Sequence, residues 1–157
     1  MSFAKALVSG LIGACTLTLI HETARRLVPN APRMDILGMQ AISKLTELGN
    51  GQPPDNKSLH RASLLGDILA NSLYYSLVGL GRDKSLWLRG AGLGIAAGLG
   101  GVLLPGPMGL GEEPSGRSQA TKAMTVGWYL AGALAASAAY RLLTGQQNQE
   151  DLYKSPA

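Results

Sequence analysis

Two stretches of this chain hold the side chains that could do chemistry. In LTLIHETARRL, His21, Glu22, Arg25 and Arg26 follow an apolar run with no turn residue between. In HRASLLGDILANSLYY, His60, Ser63, Asp67, Asn71 and Tyr74 fall on one face of a helix turning about 100° per residue. Arg61 adjoins His60, and a later apolar segment carries Lys122 and Thr125. Imidazole and carboxylate groups exchange protons or ligate cations, and arginine forks suit phosphate oxygens. His21, Glu22, Arg25, His60, Arg61, Asp67, Asn71, Tyr74 and Lys122 therefore form the candidate polar cluster, with no catalytic residue assigned among them.

The spacing argues against several familiar chemistries. Nitrogen and oxygen donors such as His21, Glu22, His60 and Asp67 would suit zinc, manganese or iron. Position 25 is arginine, however, so there is no HExxH motif, and Arg25 and Arg26 oppose a cation nearby. Neither a metal nor a cofactor is expected. No GxSxG elbow supports a hydrolase, and Gly92-Leu93-Gly94 lacks the preceding strand of a dinucleotide fingerprint. Glu22 and Arg26, spaced i,i+4, read as a favourable helix-face pair. Cys15 is the single cysteine, which excludes an internal disulfide and a four-cysteine zinc site. The net charge is +4, but no basic run lies beside stacking aromatics, so nucleic acid is not an expected partner.

The elements that must position these groups follow from where charge is absent. The 14 basic and 10 acidic side chains leave 6–20, 68–81, 90–111 and 123–140 uncharged. Extended to their flanking charges, these blocks predict helices over 3–27, 59–80, 85–104 and 119–143. A bilayer core of ~30 Å takes about 20 residues of helix. The expected fold is an all-α integral membrane protein: four transmembrane helices in an antiparallel bundle, one domain over 1–144, and a polar fraying tail over 145–157. A soluble four-helix bundle fits less well. GAGLGIAAGLGG would lose roughly 1 kcal/mol per glycine relative to alanine in a water-exposed helix, and it has no polar face. Lys5 followed by ALVSGLIGAC has the outline of an export signal, but the apolar run continues past Cys15 to Ile20, so a retained span is expected.

The first loop carries its own helix. In RMDILGMQAISKLTEL, over 33–48, Met34, Leu37, Ala41, Ile42, Leu45 and Leu48 recur at helical spacing opposite Gln40, Ser43, Lys44 and Glu47. Too short and too polar to span, it is expected to lie amphipathically at the interface or over the bundle mouth. Ser58 is a candidate cap for the second span, and Gly81-Arg82-Asp83-Lys84 makes a tight turn joining the second and third spans as a hairpin. Basic residues are more numerous on the side of the first loop, which favours a cytoplasmic first loop. In general plan the chain resembles small bacterial membrane proteins, which implies an inner-membrane location and transfers no site.

Asp67 lies about 10 Å into its helix at 1.5 Å per residue. A central acidic residue costs about 2.5–3.5 kcal/mol on insertion scales, so a partner is expected, with Arg25, His21, Lys122 and His60 as candidates. Gly90, Gly94 and Gly98 form a small-residue ridge, and Gly127, Ala131 and Ala135 repeat its spacing, a glycine-zipper pattern for contact between those helices or with a second subunit. The expected function is a membrane binding or assembly module whose one-sided polar cluster takes a lipid headgroup or small polar ligand. Membrane lipids and a homodimer or another membrane protein are the expected partners. A small oligomeric transporter or channel using Asp67, Asn71 and His21 is one alternative. A lipid-modifying enzyme, with Arg25, Arg26 and Arg61 on a phosphate, is another.

Overall fold

In the computed structural model residues 3–81 and 83–154 are described, and all regular structure among them is helical. Helix α1 covers Phe3–Leu27, about 37 Å at 1.5 Å per residue, and stops before Pro29, with Asn30 turning the chain at a positive φ of 60°. Helix α2 follows as Met34–Leu48. Helix α3, Asn56–Ser76, begins earlier than its apolar block suggests because Asp55 caps it. The Asp55 carboxylate accepts from the backbone of Lys57 at 3.0 Å and of Ser58 at 3.2 Å. Ser58, the expected cap, instead donates its hydroxyl to Asp55 at 2.7 Å, since Asp55 already occupies the capping position.

Short 3-10 turns at Leu77–Gly79 and Asp83–Ser85 lead to helix α4, Leu86–Leu103. Arg82, part of the expected turn, lies outside the described residues. Pro105-Gly106-Pro107 ends α4, and Gly109 and Gly111, at φ of 69° and 75°, bend the loop back. A single helical turn that the sequence does not advertise, α5, forms over Glu113–Gly116. Ser118 then caps the last helix by accepting from the Thr121 backbone at 3.0 Å. That helix, α6, runs Gln119–Lys154. It continues through the stretch expected as a fraying tail because GQQNQEDLYK contains no proline and several good helix formers; 155–157 lie outside the described residues. Among the described residues two helices, α1 and α4, are long and apolar enough to cross a membrane.

Packing orders the long helices as α3, α1, α6, α4, each pressed mainly on its neighbour in that series. Thus α4 takes α6 as its main partner rather than the α3 that precedes it. Glycines make the crossings close. A Cβ on Gly10 would strike the Ser72 carbonyl of α3, and one on Gly13 would lie 2.6 Å from the Gly132 carbonyl of α6. The centre is filled by tyrosines among small residues: Tyr75, Tyr129 and Tyr140 with Ala6, Leu17, Val78, Ala133 and Ala136. Tyr75 donates to the Tyr129 carbonyl at 2.9 Å and Tyr140 to the Gly79 carbonyl at 3.4 Å, as buried tyrosines generally do, and Tyr74, packed against this centre, donates to the Leu93 carbonyl at 3.0 Å.

The α4 ridge lies against α6, but on a different α6 face from the Gly127–Ala131–Ala135 repeat. Gly94 approaches the Leu130 Cα and Gly98 the Val126 Cα, each 2.6 Å from an added Cβ, while Gly90 meets Ser137. Gly127 is exposed with open space beside it, and Ala131 and Ala135 are half-buried. The reason is that α6 serves two neighbours. Gly132 and Ala136 turn toward α1, which rotates Val126, Leu130, Ala133 and Ser137 onto α4.

Helix α2 buries no residue. It crosses α3 where Gly38 has no side chain to keep it from Ser63, and Met34 packs on the edge of the core. Leu45 and Leu48 point outward, so its apolar stripe is only partly used within the chain.

Candidate functional site

The polar groups meet in the seam between α1 and α3, close to the first loop. Thr18 lies one helical turn before His21 on α1, and Asp67 and Asn71 lie one turn apart on α3. Thr18 donates to the Asp67 carboxylate at 3.1 Å and the Asn71 amide donates to its other oxygen at 2.8 Å. The same amide reaches the Asp67 carbonyl at 3.0 Å. The partners of Asp67 are therefore neutral. None of the cationic candidates forms an ion pair with it among the described residues. Thr18 and Asn71 fill both oxygens of the carboxylate, while Arg25 is engaged by Glu22 and Asp35 and Lys122 is exposed.

His21 is 95% buried, and neither ring nitrogen has a hydrogen-bond partner. Its ring leans on two aromatics of α6, with centroids 5.4 Å from Trp128 and 5.8 Å from Tyr129. A cavity of ≈ 10 Å³ opens between His21, Thr18, Glu22, Met34, Asp35, Ser63, Leu64 and Asp67. One water needs roughly 10–15 Å³, so this space is of single-water size and too small for a headgroup.

A second layer of charge closes the seam toward the loop. Glu22 accepts from Nε and Nη2 of Arg25, at 2.8 and 2.6 Å, and Arg26 reaches the same carboxylate at 3.4 Å, the expected i,i+4 pair. Arg25 also faces Asp35 at 3.8 Å, and Arg33 grips Asp35 with two bonds of 2.9 and 2.8 Å. Burial pushes the Asp35 carboxyl up, but the Arg33 hydrogen bonds and the Arg33 and Arg25 charges outweigh it and hold the group below its usual range. The Ser63 hydroxyl donates to the Asp35 carbonyl at 3.4 Å, which fastens α2 to α3.

The expected cluster thus divides. His21, Glu22, Asp67 and Asn71 come together, and Arg25 joins through Glu22 and Asp35. Tyr74 serves the α3–α4 contact. His60 is half-buried, while Arg61 points outward and Lys122 is exposed beside α5. Sequence reasoning missed Thr18 and Asp35. Thr18 shares the His21 face by its i−3 spacing, and Asp35 is marked by its place in the first turn of α2 beside Arg33. Among the described residues no three His, Cys, Asp or Glu side chains converge as a metal-ligand set.

Ligand-sized space lies farther out. A groove of ≈ 690 Å³ runs between α2, the start of α3 and the loop before α5. Ile36, Met39, Leu59 and Leu110 supply its apolar part; Gln40, Ser43, Lys44, Glu47 and Asn56 supply the polar part, and Gly109 and Gly111 one wall. Lys44 Nζ donates to the Met108 carbonyl at 2.5 Å, which fixes the amine across the groove. Comparison of the chain with protein-family models, curated proteins and solved structures found no match.

Proposed function

We propose that the protein is a four-span membrane module that works by binding and assembly, with the Thr18–His21–Asp67 layer holding its helices in register. The observation that carries this is the belt of outward-facing large apolar side chains. It includes Leu11, Ile12 and Leu19 on α1, Leu65, Leu69 and Leu73 on α3, and Leu88, Ile95 and Leu99 on α4. Water-soluble monomers rarely expose contiguous apolar patches beyond a few hundred Å². The polar face of α3 is turned the other way, into the seam, which is where an intramembrane carboxylate belongs. In α6, set between α1 and α4, only Leu142 is an exposed large apolar residue among the described side chains, as suits a helix shielded by neighbours. On this reading the larger number of basic residues on the side of the first loop favours a cytoplasmic first loop.

Cys15, the single cysteine and exposed within α1, is the reporter. A nitroxide attached there in reconstituted vesicles should collide more with oxygen than with a water-soluble nickel chelate. The reverse order, or a detergent-free protein that stays monodisperse in buffer, would defeat the membrane assignment.

A second reading, a proton pathway in an oligomer, is favoured by the two unpartnered His21 nitrogens beside Asp67. It expects Asp67→Asn to abolish proton flux into vesicles with the fold intact. Unchanged flux would eliminate it.

A further inference from the structure

We infer that the groove between α2, α3 and the loop before α5 binds the headgroup of a phospholipid carrying a phosphate and a primary ammonium. The proposal rests on the membrane assignment and names the ligand class that the binding module takes. The groove, at ≈ 690 Å³, falls within the 300–1,000 Å³ range typical of small-molecule sites, unlike the single-water space beside His21.

Charge placement selects the headgroup. Lys44 and Glu47 both line the groove and stand one turn apart on α2, so a cation and an anion are offered about 5–6 Å apart at the Cβ level. A purely anionic headgroup would meet Glu47 unfavourably, and a simple cation would meet Lys44. A zwitterion satisfies both, its phosphate on Lys44 and its ammonium on Glu47. Lys44 spends one of its three donors on the Met108 carbonyl and keeps two for phosphate oxygens. The Gln40 amide oxygen and the Ser43 hydroxyl add acceptors for ammonium hydrogens, which favours a primary ammonium over a methylated one.

Position favours a lipid over a free solute. Leu59 and Leu110, both buried, form an apolar floor, suited to the glycerol end of acyl chains. Leu48, next to Glu47, and Met108, next to Gly109, are exposed and add apolar surface beside these groove residues.

The test uses full-length protein in nanodiscs of mixed composition, with lipid retention after detergent transfer read by native mass spectrometry. Phosphatidylethanolamine should be retained in preference to phosphatidylglycerol and phosphatidylcholine. Lys44→Gln and Glu47→Gln should each lower that retention about tenfold, the scale of one charge-assisted hydrogen bond. Ser43→Trp, which fills the groove from a half-buried position, should abolish it, while Arg61→Gln on the exposed side of α3 should leave it unchanged. Equal retention of the three lipids, or retention indifferent to Ser43→Trp in a protein of unchanged helicity, overturns the proposal. Soluble glycerophosphoethanolamine binding as tightly as the lipid overturns the lipid as occupant. The Cys15 nitroxide in the same discs separates the two claims: exposure to lipid without ethanolamine preference defeats the groove alone, and exposure to water defeats the membrane assignment beneath it.

Discussion

The seams between α1 and α3 and between α4 and α6 both bring backbones close at glycines, Gly10 in the first and Gly94 and Gly98 in the second, but the first adds a polar layer between side chains. The first is polar: Thr18, Asp67 and Asn71 form a chain of hydrogen bonds across it, capped by the Glu22–Arg25–Asp35–Arg33 ion pairs. The second has Gly90, Gly94 and Gly98 pressed against the α6 backbone and Ser137, with proximity itself as the bond. Hydrogen bonds specify one register but tolerate separation of a few tenths of an ångström. Close backbone packing leaves no room for an added Cβ, and it loses dispersion as a gap opens. The two seams should therefore fail differently.

Substitutions at the close glycines, Gly94 and Gly98 among them, should show the largest effects. Gly94→Leu and Gly98→Leu each place a Cβ 2.6 Å from an α6 Cα, which no rotamer can relieve. Each is expected to cost about 3 kcal/mol, seen as a lower midpoint for unfolding in mixed micelles by circular dichroism. A change below measurement error would show that α4 does not rest on α6 as described. Thr18→Val tests the polar seam with a nearly isosteric change. It removes one donor from a buried carboxylate and should cost about 1–2 kcal/mol, with the helices still paired by cross-linking.

Acid should act on the rim of the polar seam and spare the α4–α6 seam. The Asp35 carboxyl is held below its ordinary value in the folded protein. Its contribution is therefore complete above the unfolded value of about 3.9, and it is lost as pH falls through the lower folded value. Stability measured between about pH 5 and pH 2 should fall less steeply in Asp35→Asn than in the parent, and parallel curves would contradict this. The smallest effect belongs to Gly127→Ala. That position opens onto free space, so the change should be neutral or stabilising by up to about 1 kcal/mol, in contrast to Gly94 on the neighbouring helix.

Much of the scaffold was legible because charge is excluded from long stretches. The blocks around 3–27 and 85–104 correspond closely to α1 and α4, and 33–48 to α2. The α6 packing face was not legible. Its small residues recur on several stripes, and choosing among them requires knowing that α6 touches α1 and α4 together. The neutral partners of Asp67 were not legible for a related reason. A cation could have reached it from several positions, whereas a threonine on α1 matters only once the two helices are known to cross at Gly10. The rim groove was invisible, since it is assembled from α2, α3 and a loop more than forty positions further along.

The order α3, α1, α6, α4 also sets a timetable. When α1 and α3 have been synthesised, both sides of their polar seam exist, and Thr18 can meet Asp67 at once. Helix α4 comes next with its glycines bare, because the surface that covers them is carried by α6, further along the chain. During that interval α4 is held to the end of α3 and the turn after it, by Tyr74 on the Leu93 carbonyl and Arg89 on the Val78 carbonyl. Docking of α6 then closes the contacts to α1 and α4 together, so assembly should show one early step and one late concerted step, with Gly13 and Gly94 both belonging to the second.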